Sequence, residues 1–313
     1  KKIKFNIKKV ENAKKLIKEV MLLARLHHNN IVRYYQAWIE NWDGEEAYHS
    51  DLESNSKSIT NKNKLDFNQK NLKNDDKAIA YLKKRGLNGV IAKKFQLGYA
   101  PPDWHLLENS FKRDKKELIA SGMLIQKDNG TTYDRYRHRI MFPIYDRRGR
   151  IIGFGGRSID PEQQPKYLNS PETALFQKNR ELYGLYQAIQ TEKNLGYIIV
   201  VEGYLDVIAL AQYDINNVVA TLGTAISTYH IQLLGKHTRK IVFCFDGDKA
   251  GQEAAWRALE NSLPHLNNDL EINFILLPER HDPDSFIRTE GKEKFLNYVS
   301  QASALSEFFL NKL

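Results

Sequence analysis

Lys240 to Asp248 reads KIVFCFDGD, and two other stretches repeat its plan: YIIVVEGYLD over residues 197–206, and EINFILL over residues 271–277 with DPD at 282–284. Each stretch is an apolar run, rich in β-branched and aromatic residues, that is followed by carboxylates. Runs of this length with helical patterns between them are typical of buried strands in a parallel sheet. The sequence therefore predicts an α/β fold built on a parallel sheet.

The acidic residues that follow the three runs predict a common site. In parallel α/β sheets a ligand binds at the carboxyl ends of the strands. Six side chains are therefore expected to meet at one edge: Glu202, Asp206, Asp246, Asp248, Asp282 and Asp284. Carboxylates this close would raise each other's pKa unless a positive charge lay among them. Ligands that are all oxygens favour magnesium or manganese over zinc.

Two of these acids also have a structural interpretation. Asp248 precedes a predicted helix over residues 250–259, and Asp206 lies near the start of another helix. Acidic side chains cap helices and interact favourably with their amino-terminal dipole. For a single pair of acids, helix capping would be the favoured interpretation. Because acids recur after three predicted parallel strands, a catalytic site is favoured instead.

Charge and composition limit the class of protein. The 313 residues carry a formal net charge of +9, and because the acids cluster, the remaining surface must be more basic than this total. Such a surface suits nucleic acid, although a generally lysine-rich composition would give the same charge. The single cysteine, Cys244, excludes an intrachain disulfide and a multi-cysteine zinc site. No apolar stretch could span a bilayer and no signal peptide is recognised, so no membrane partner and a cytoplasmic location are expected.

Basic residues before the acids form a second candidate site. Arg135, Arg137 and Arg139 alternate along the chain, and on a strand they would share one face. That face is either simply solvated or part of a phosphate-binding groove. Arg157 follows a glycine pair that would let a ligand approach the backbone closely.

These motifs resemble those of a known family. The acidic pattern is similar to the Toprim signature of bacterial primases, type IA and II topoisomerases and some nucleases. The sequence before it resembles the catalytic core of the bacterial replicative primase, DnaG, at FPIYD (142–146), GFGGR (153–157), PKYLNSPET (165–173) and LYGL (182–185). The resemblance covers about residues 65–313.

The resemblance implies a domain order. We expect a Toprim parallel sheet flanked by helices over residues 196–285, with a basic α+β subdomain before it at 77–195. The start of a helical subdomain would follow at 286–313. Residues 51–76 are polar and lack a helical or alternating period, which predicts a linker.

The implied activity is that of a DNA-directed RNA polymerase, a nucleotidyltransferase that makes short RNA primers during DNA replication. Its substrates would be a single-stranded DNA template and ribonucleoside triphosphates, and its cofactor Mg²⁺ or Mn²⁺. Full-length family members also bind a replicative helicase within the primosome. The helicase-binding module and the amino-terminal zinc module are not expected in this chain.

The resemblance also suggests roles for individual residues. Asp246, Asp248 and Asp284 are the first candidates for metal ligands, with Asp206 and Asp282 in support. Glu202 is either a metal ligand or a general base, and the sequence does not choose. The template and the triphosphate would be held by six residues: Arg135, Arg137, Arg157, Lys166, Asn169 and Lys178. For Lys178, a plain surface lysine is the alternative.

Two other functions fit parts of the sequence. A Toprim nuclease would use the same acids to cleave phosphodiesters, but it would not explain the primase-like motifs upstream. A noncatalytic nucleic-acid-binding fragment is the other alternative. A topoisomerase is not supported, because no motif supplies its catalytic tyrosine.

Residues 1–50 resemble a different family, the kinases of the alpha subunit of eukaryotic initiation factor two. The likeness rests on AKKLIKEVMLLARL (13–26), HHNNIV (27–32) and YYQAWIE (34–40), with Lys1 or Lys2 and Glu19 matching the paired lysine and glutamate of the small lobe. No glycine-rich loop, His-Arg-Asp or Asp-Phe-Gly accompanies them, so a working kinase is excluded. We interpret the segment as a noncatalytic appendage.

Overall fold

The computed structural model of the chain describes residue 62 and residues 64–173, 175–191, 195–265 and 270–310. All of them belong to one compact unit, Thr60–Leu313. The kinase-like segment at 1–50 and the first part of the predicted linker lie outside the described residues. No helix in the described part of the chain is long and apolar enough to cross a membrane.

Three helices open the described chain: α1 (64–73), α2 (Asp76–Lys84) and α3 (Gly89–Lys94). The linker predicted for residues 51–76 is therefore wrong over α1. Leu65 and Leu72 are both buried and lie seven residues apart, so they share one face of the helix. The two buried leucines pack this helix against the protein, although the average composition of the segment is polar.

An antiparallel sheet follows, in the order β1-β4-β5-β6. Its strands are β1 (Gly98–Ala100), β4 (Arg139–Tyr145), β5 (Ile151–Ser158) and β6 (Tyr167–Asn169). Between β1 and β4 the chain forms α4 (Leu106–Ser110), a short 3₁₀ helix, α5 (Lys115–Ala120), and a hairpin of β2 (Leu124–Gln126) and β3 (Thr132–Asp134). This is the expected α+β arrangement before the parallel sheet.

The arginines at 135, 137 and 139 do not share a strand face. Strand β3 ends at Asp134, β4 begins at Arg139, and His138 between them has a φ of 54°. Arg139 is buried and donates hydrogen bonds to the carbonyl oxygens of Pro165 (2.7 Å) and Lys166 (3.2 Å). The alternation in the sequence was therefore interrupted by a turn, and one of the three arginines is structural.

The second sheet has the order β11-β10-β9-β7-β8. Its strands are β7 (Ile198–Val201), β8 (Val218–Ala220), β9 (Lys240–Phe245), β10 (Glu271–Leu276) and β11 (Ser303–Ala304). The first four run parallel, and only β11 is antiparallel. The helices around it are α6 (Leu185–Thr191), α7 (Tyr204–Gln212), α8 (Thr228–Leu234), α9 (Lys249–Ser262), α10 (Pro283–Ser300) and α11 (Leu305–Leu310). The predicted parallel α/β sheet is confirmed.

An apolar core joins the two sheets. Phe142 of β4 stacks on Tyr204 of α7 with ring centroids 4.9 Å apart, and Tyr183 packs edge-on against Tyr204 at 4.7 Å. All three side chains are buried in the same cluster. This packing places β5 and β6 beside the carboxyl ends of the parallel strands, where the site lies.

Candidate active site

Strands β7, β9 and β10 end at the same edge of the parallel sheet. Their register pairs Val200 with Phe243 and Phe245 with Leu276, so the loops after them lie side by side. A cavity of about 280 Å³, here called the acidic cavity, opens at this edge. Five of the six predicted acids line it: Glu202, Asp206, Asp246, Asp282 and Asp284. Three residues of the second candidate site also line it, Arg157, Lys166 and Asn169.

Asp248 lies next to this cavity and caps a helix. Its carboxylate accepts a hydrogen bond from the Gly251 N–H at 2.8 Å, at the start of α9. Asp282 caps α10 in the same way, through the Ser285 N–H at 2.7 Å. Each cap uses one carboxylate oxygen. The capping interpretation is therefore correct for Asp248, and it leaves a second oxygen on each side chain for another ligand.

Asp206 connects two of the acidic loops. One oxygen accepts from the Gly203 N–H at 3.0 Å, and the other accepts from the Asp284 N–H at 3.2 Å. The residue is 8% exposed. Because both oxygens are engaged by backbone, this acid holds the loop after β7 against the start of α10.

Asp284 lies between two arginines. Its carboxylate pairs with Arg288 at 2.9 Å, one helical turn along α10, and with Arg85 at 3.4 Å. The side chain is 4% exposed. The sequence ranked Asp284 among the first metal ligands, and in the structure its carboxylate lines the acidic cavity while it is paired with both arginines.

The acids strongly perturb one another. Burial raises the pKa of Asp246 to about 7, and Glu202, Asp282 and Asp248 add to this by repulsion. Loss of hydration and the nearby Asp248 raise the pKa of Glu202 as well. The pKa of Asp206 lies well above its usual range because of burial and of Asp282 and Asp246. A bound cation would relieve all of these shifts.

The five acids in the lining offer carboxylate oxygens, which are donors that fit a hard divalent ion. Asp206 is held by backbone N–H groups through both oxygens and Asp284 is paired with arginines, which leaves Glu202, Asp246 and Asp282 as the candidate ligands in the lining. Among the described residues, no three His, Cys, Asp or Glu side chains already stand in a group that could hold a metal ion. The acidic cavity therefore has the charge and chemistry for such an ion, and its carboxylates would have to come closer together to bind it.

A second cavity, of about 630 Å³, adjoins the acidic one and is here called the cationic cavity. Both cavities are lined by Arg85, Arg157 and Lys166, which form a shared wall. Lys84 and Arg288 add two further cations, and Asp160 is the one acid among the described residues of the lining. Phosphate groups would be favoured here, directly beside the carboxylates.

Arg157 is held in place by two tyrosines. Its guanidinium donates to the hydroxyls of Tyr81 and Tyr167 and lies over the Tyr167 ring, 4.9 Å from the centroid. Tyr81 belongs to α2 and Tyr167 to β6. Arg85, Arg288 and Tyr81 were missed in the sequence because no motif distinguishes them. Only the basic run Lys83-Lys84-Arg85 before Gly86 hinted at this wall.

Three predicted binding residues lie outside both cavities: Arg135, Arg137 and Lys178. The Arg137 guanidinium stacks on Trp104, 4.0 Å from the ring centroid, and approaches Tyr133 at 5.2 Å. Trp104 is 54% exposed. Lys178 is half-buried, and its backbone N–H donates to Glu172 at 3.1 Å.

Two families match successive parts of the chain. Residues 67–189 match the amino-terminal domain of the DNA primase catalytic core, and residues 199–287 match a Toprim-like domain. Toprim primases depend on a metal ion. The DNA primase of Legionella pneumophila is 63% identical over 248 residues, which are 79% of this chain and 43% of that protein. The DNA primase of Escherichia coli K12 is 50% identical over 239 residues, 74% of this chain and 40% of that protein. The chain thus spans about two fifths of the length of these relatives.

Solved structures show the same relationship over most of both chains. A DNA primase domain from Pseudomonas aeruginosa has a TM-score of 0.79 at 48% identity and covers 82% of each chain. A DnaG primase catalytic domain bound to single-stranded DNA also has a TM-score of 0.79, at 45% identity, with 84% of this chain and 86% of that chain covered. The predicted resemblance is confirmed, and the chain belongs to the DnaG-type DNA primase family, in the part that forms the catalytic core.

Proposed function

We propose that this chain is a primase core that joins ribonucleotides into short RNA primers on a single-stranded DNA template. The observation that carries the proposal is the wall of Arg85, Arg157 and Lys166 between the acidic and cationic cavities. Phosphoryl transfer needs negative charge to be neutralised close to a metal site. A relative of known structure is described as bound to single-stranded DNA, which supports the template assignment.

The proposed cofactor is Mg²⁺ or Mn²⁺, held by Glu202, Asp246 and Asp282, with the second oxygen of Asp248 close by. When bound, the ion would stabilise charge on phosphoryl oxygens as a Lewis acid. Asp206 and Asp284 would act in support, because backbone groups and arginines engage them. Glu202 is exposed, so its two proposed roles, metal ligand and general base, both stay open to it.

The triphosphate would lie against the shared wall. Arg157 is oriented by its two tyrosines, and the exposed Lys166 is the last residue of the β5–β6 connection. A guanidinium fixed in this way presents its remaining donors to phosphate oxygens without losing further side-chain freedom. These two residues therefore bind and orient the substrate beside the carboxylates.

The template would extend past Arg137 and Trp104. An exposed indole with a guanidinium stacked on it is the combination that single-strand-binding surfaces use for base stacking and phosphate contact. Arg135 is the adjacent candidate, while Lys178 stays a proposed contact on the resemblance alone. A replicative helicase as partner and a cytoplasmic location are likewise proposals drawn from the family.

Labelled ribonucleotides, Mg²⁺ and a single-stranded DNA template test the proposal directly. Oligoribonucleotide products support priming. A shortened template would instead indicate a Toprim nuclease, and binding without products would indicate a noncatalytic fragment. Asp246→Ala should abolish synthesis while single-strand binding persists, and unchanged synthesis in this variant would overturn the metal assignment.

A further inference from the structure

Three separate segments meet at the side chains of Tyr204 and Asn169. The Tyr204 hydroxyl donates to Asn169 Oδ1 at 2.7 Å, and Asn169 Nδ2 donates to the Leu222 carbonyl oxygen at 2.8 Å. Tyr204 is the first residue of α7, Asn169 is the last residue of β6, and Leu222 follows β8. The two side chains therefore tie the antiparallel sheet to two loops of the parallel sheet.

The packing leaves Tyr204 no freedom to move. It is 4% exposed, with Phe142 stacked on one face and Tyr183 edge-on. A Cβ atom on Gly155 would lie 2.5 Å from the Tyr204 ring, so the strand beside it approaches as closely as glycine allows. The hydroxyl is consequently fixed in space, and so is the Asn169 amide that it contacts.

Both loops tied by this pair belong to the acidic cavity. Glu202 and Asp206 flank Tyr204 by two residues on either side, and Thr221 and Gly223 flank Leu222. On the other side, β6 carries Asn169 three residues after Lys166 and pairs with β5, which contains Arg157. The pair therefore lies between the carboxylates and the cationic wall.

We propose that Tyr204 and Asn169 form a brace that sets the position of the carboxylates relative to the cationic wall. This inference rests on the proposed function and changes one part of it. Asn169 is a positioning residue rather than a substrate contact, since its amide oxygen and one amide hydrogen are already hydrogen-bonded to Tyr204 and Leu222. Tyr204 has the same positioning role, although it lies in an apolar cluster and would otherwise be assigned to the core.

Tyr204→Phe and Asn169→Ala, singly and together, test the brace. Each single variant should lower kcat for primer synthesis about 10-fold, as loss of one hydrogen bond that aligns the site allows, with little change in KM for ribonucleotides. The double variant should be no slower than the slower single variant, because both changes break the same brace. Multiplied effects, or a raised KM in Asn169→Ala alone, would mean that Asn169 contacts the substrate directly and would overturn the proposal.

Tyr136→Phe is the matched control. Tyr136 is also buried, and its hydroxyl donates to the Phe154 carbonyl oxygen at 2.8 Å within the antiparallel sheet, without joining the two sheets. It should lose stability as Tyr204→Phe does and keep kcat at temperatures well below unfolding. Equal loss of kcat in Tyr136→Phe and Tyr204→Phe would mean that the brace acts only through general stability, which would overturn the proposal.

Hydrogen exchange decides the question even if the wild-type protein makes no primers. Backbone amides at 202–206 and 221–223 should exchange about 10-fold faster in both brace variants, as expected for loops released from one hydrogen bond. The same amides should keep wild-type rates in Tyr136→Phe. Unchanged exchange in the brace variants would overturn the inference, whereas absent wild-type synthesis with faster exchange would overturn only the proposed activity.

Discussion

Gly251→Ala tests how tightly the start of α9 is fitted against the acidic edge. Gly251 is the third residue of the helix and is buried. A Cβ atom there would lie 2.2 Å from the Asp246 carbonyl oxygen and 2.9 Å from its carbonyl carbon. Both atoms are backbone at the end of a central strand, so they cannot rotate away as a flexible side chain could. Either the helix start or Asp246 must move.

Two opposing free energies set the expected change in stability. Alanine is favoured over glycine in a helix interior by about 1 kcal/mol, while overpacking costs about 1–3 kcal/mol. Because backbone cannot yield easily, we take the upper part of that range. The free energy of unfolding should therefore fall by about 1–2 kcal/mol. A displacement of about 1 Å at Asp246 should lower the rate of primer synthesis about 100-fold.

Urea unfolding and primer synthesis measure the two effects. Gly89→Ala is the matched control, because Gly89 opens α3 and, among the described residues outside its own turn of the chain, no atom lies within 4 Å of an added Cβ. That variant should be as stable as the wild type or slightly more stable, and equally active. If Gly251→Ala behaved like Gly89→Ala in both assays, the argument that close backbone contact positions Asp246 would be refuted.

Three further predictions concern a buried histidine, the cationic wall and the stacked tryptophan. Burial lowers the pKa of His230 to about 4, below the 6.5 of an unfolded chain, so the unfolded state takes up a proton first as pH falls. The contribution of neutral His230 to the free energy of unfolding is complete above about pH 6.5, and up to about 3 kcal/mol of it should be lost as pH falls towards 4. The difference in unfolding free energy between wild type and His230→Gln should fall over the same pH range. A difference that does not change with pH would contradict this prediction. Arg157→Lys should raise KM for ribonucleotides about 10-fold, because one ammonium group cannot reach both tyrosine hydroxyls and a phosphate; an unchanged KM in steady-state assays would remove Arg157 from the substrate wall. Trp104→Ala should weaken single-stranded DNA binding about 10-fold through lost stacking, with the salt dependence of binding preserved, whereas Arg137→Ala should also reduce that salt dependence. Fluorescence anisotropy over a salt series distinguishes these outcomes. Wild-type affinity in Trp104→Ala would exclude Trp104 from the template path.

The parallel sheet and the meeting of its acids could be predicted because the signals are local. Each strand is an uninterrupted apolar run, and the residues after it must emerge at the same edge when the strands are parallel. The resemblance supplied the family, which the comparisons confirm. The domain boundaries at residues 77, 196 and 286 stay predictions, and α1 extends the folded region to before residue 77.

What each acid does was decided by tertiary contacts. Asp284 meets Arg85, 199 residues away in the chain, and Asp206 reaches the Asp284 N–H across 78 residues. No local pattern records such partners, because a carboxylate has the same sequence signature whether it faces a metal ion, an arginine or a backbone amide. The same limit applies to Asn169, whose amide the family resemblance assigned to the substrate and the fold directs to Tyr204 and Leu222. Sequence thus determined which side chains gather at this edge, and three-dimensional packing determined which of their oxygens and hydrogens remain available for chemistry.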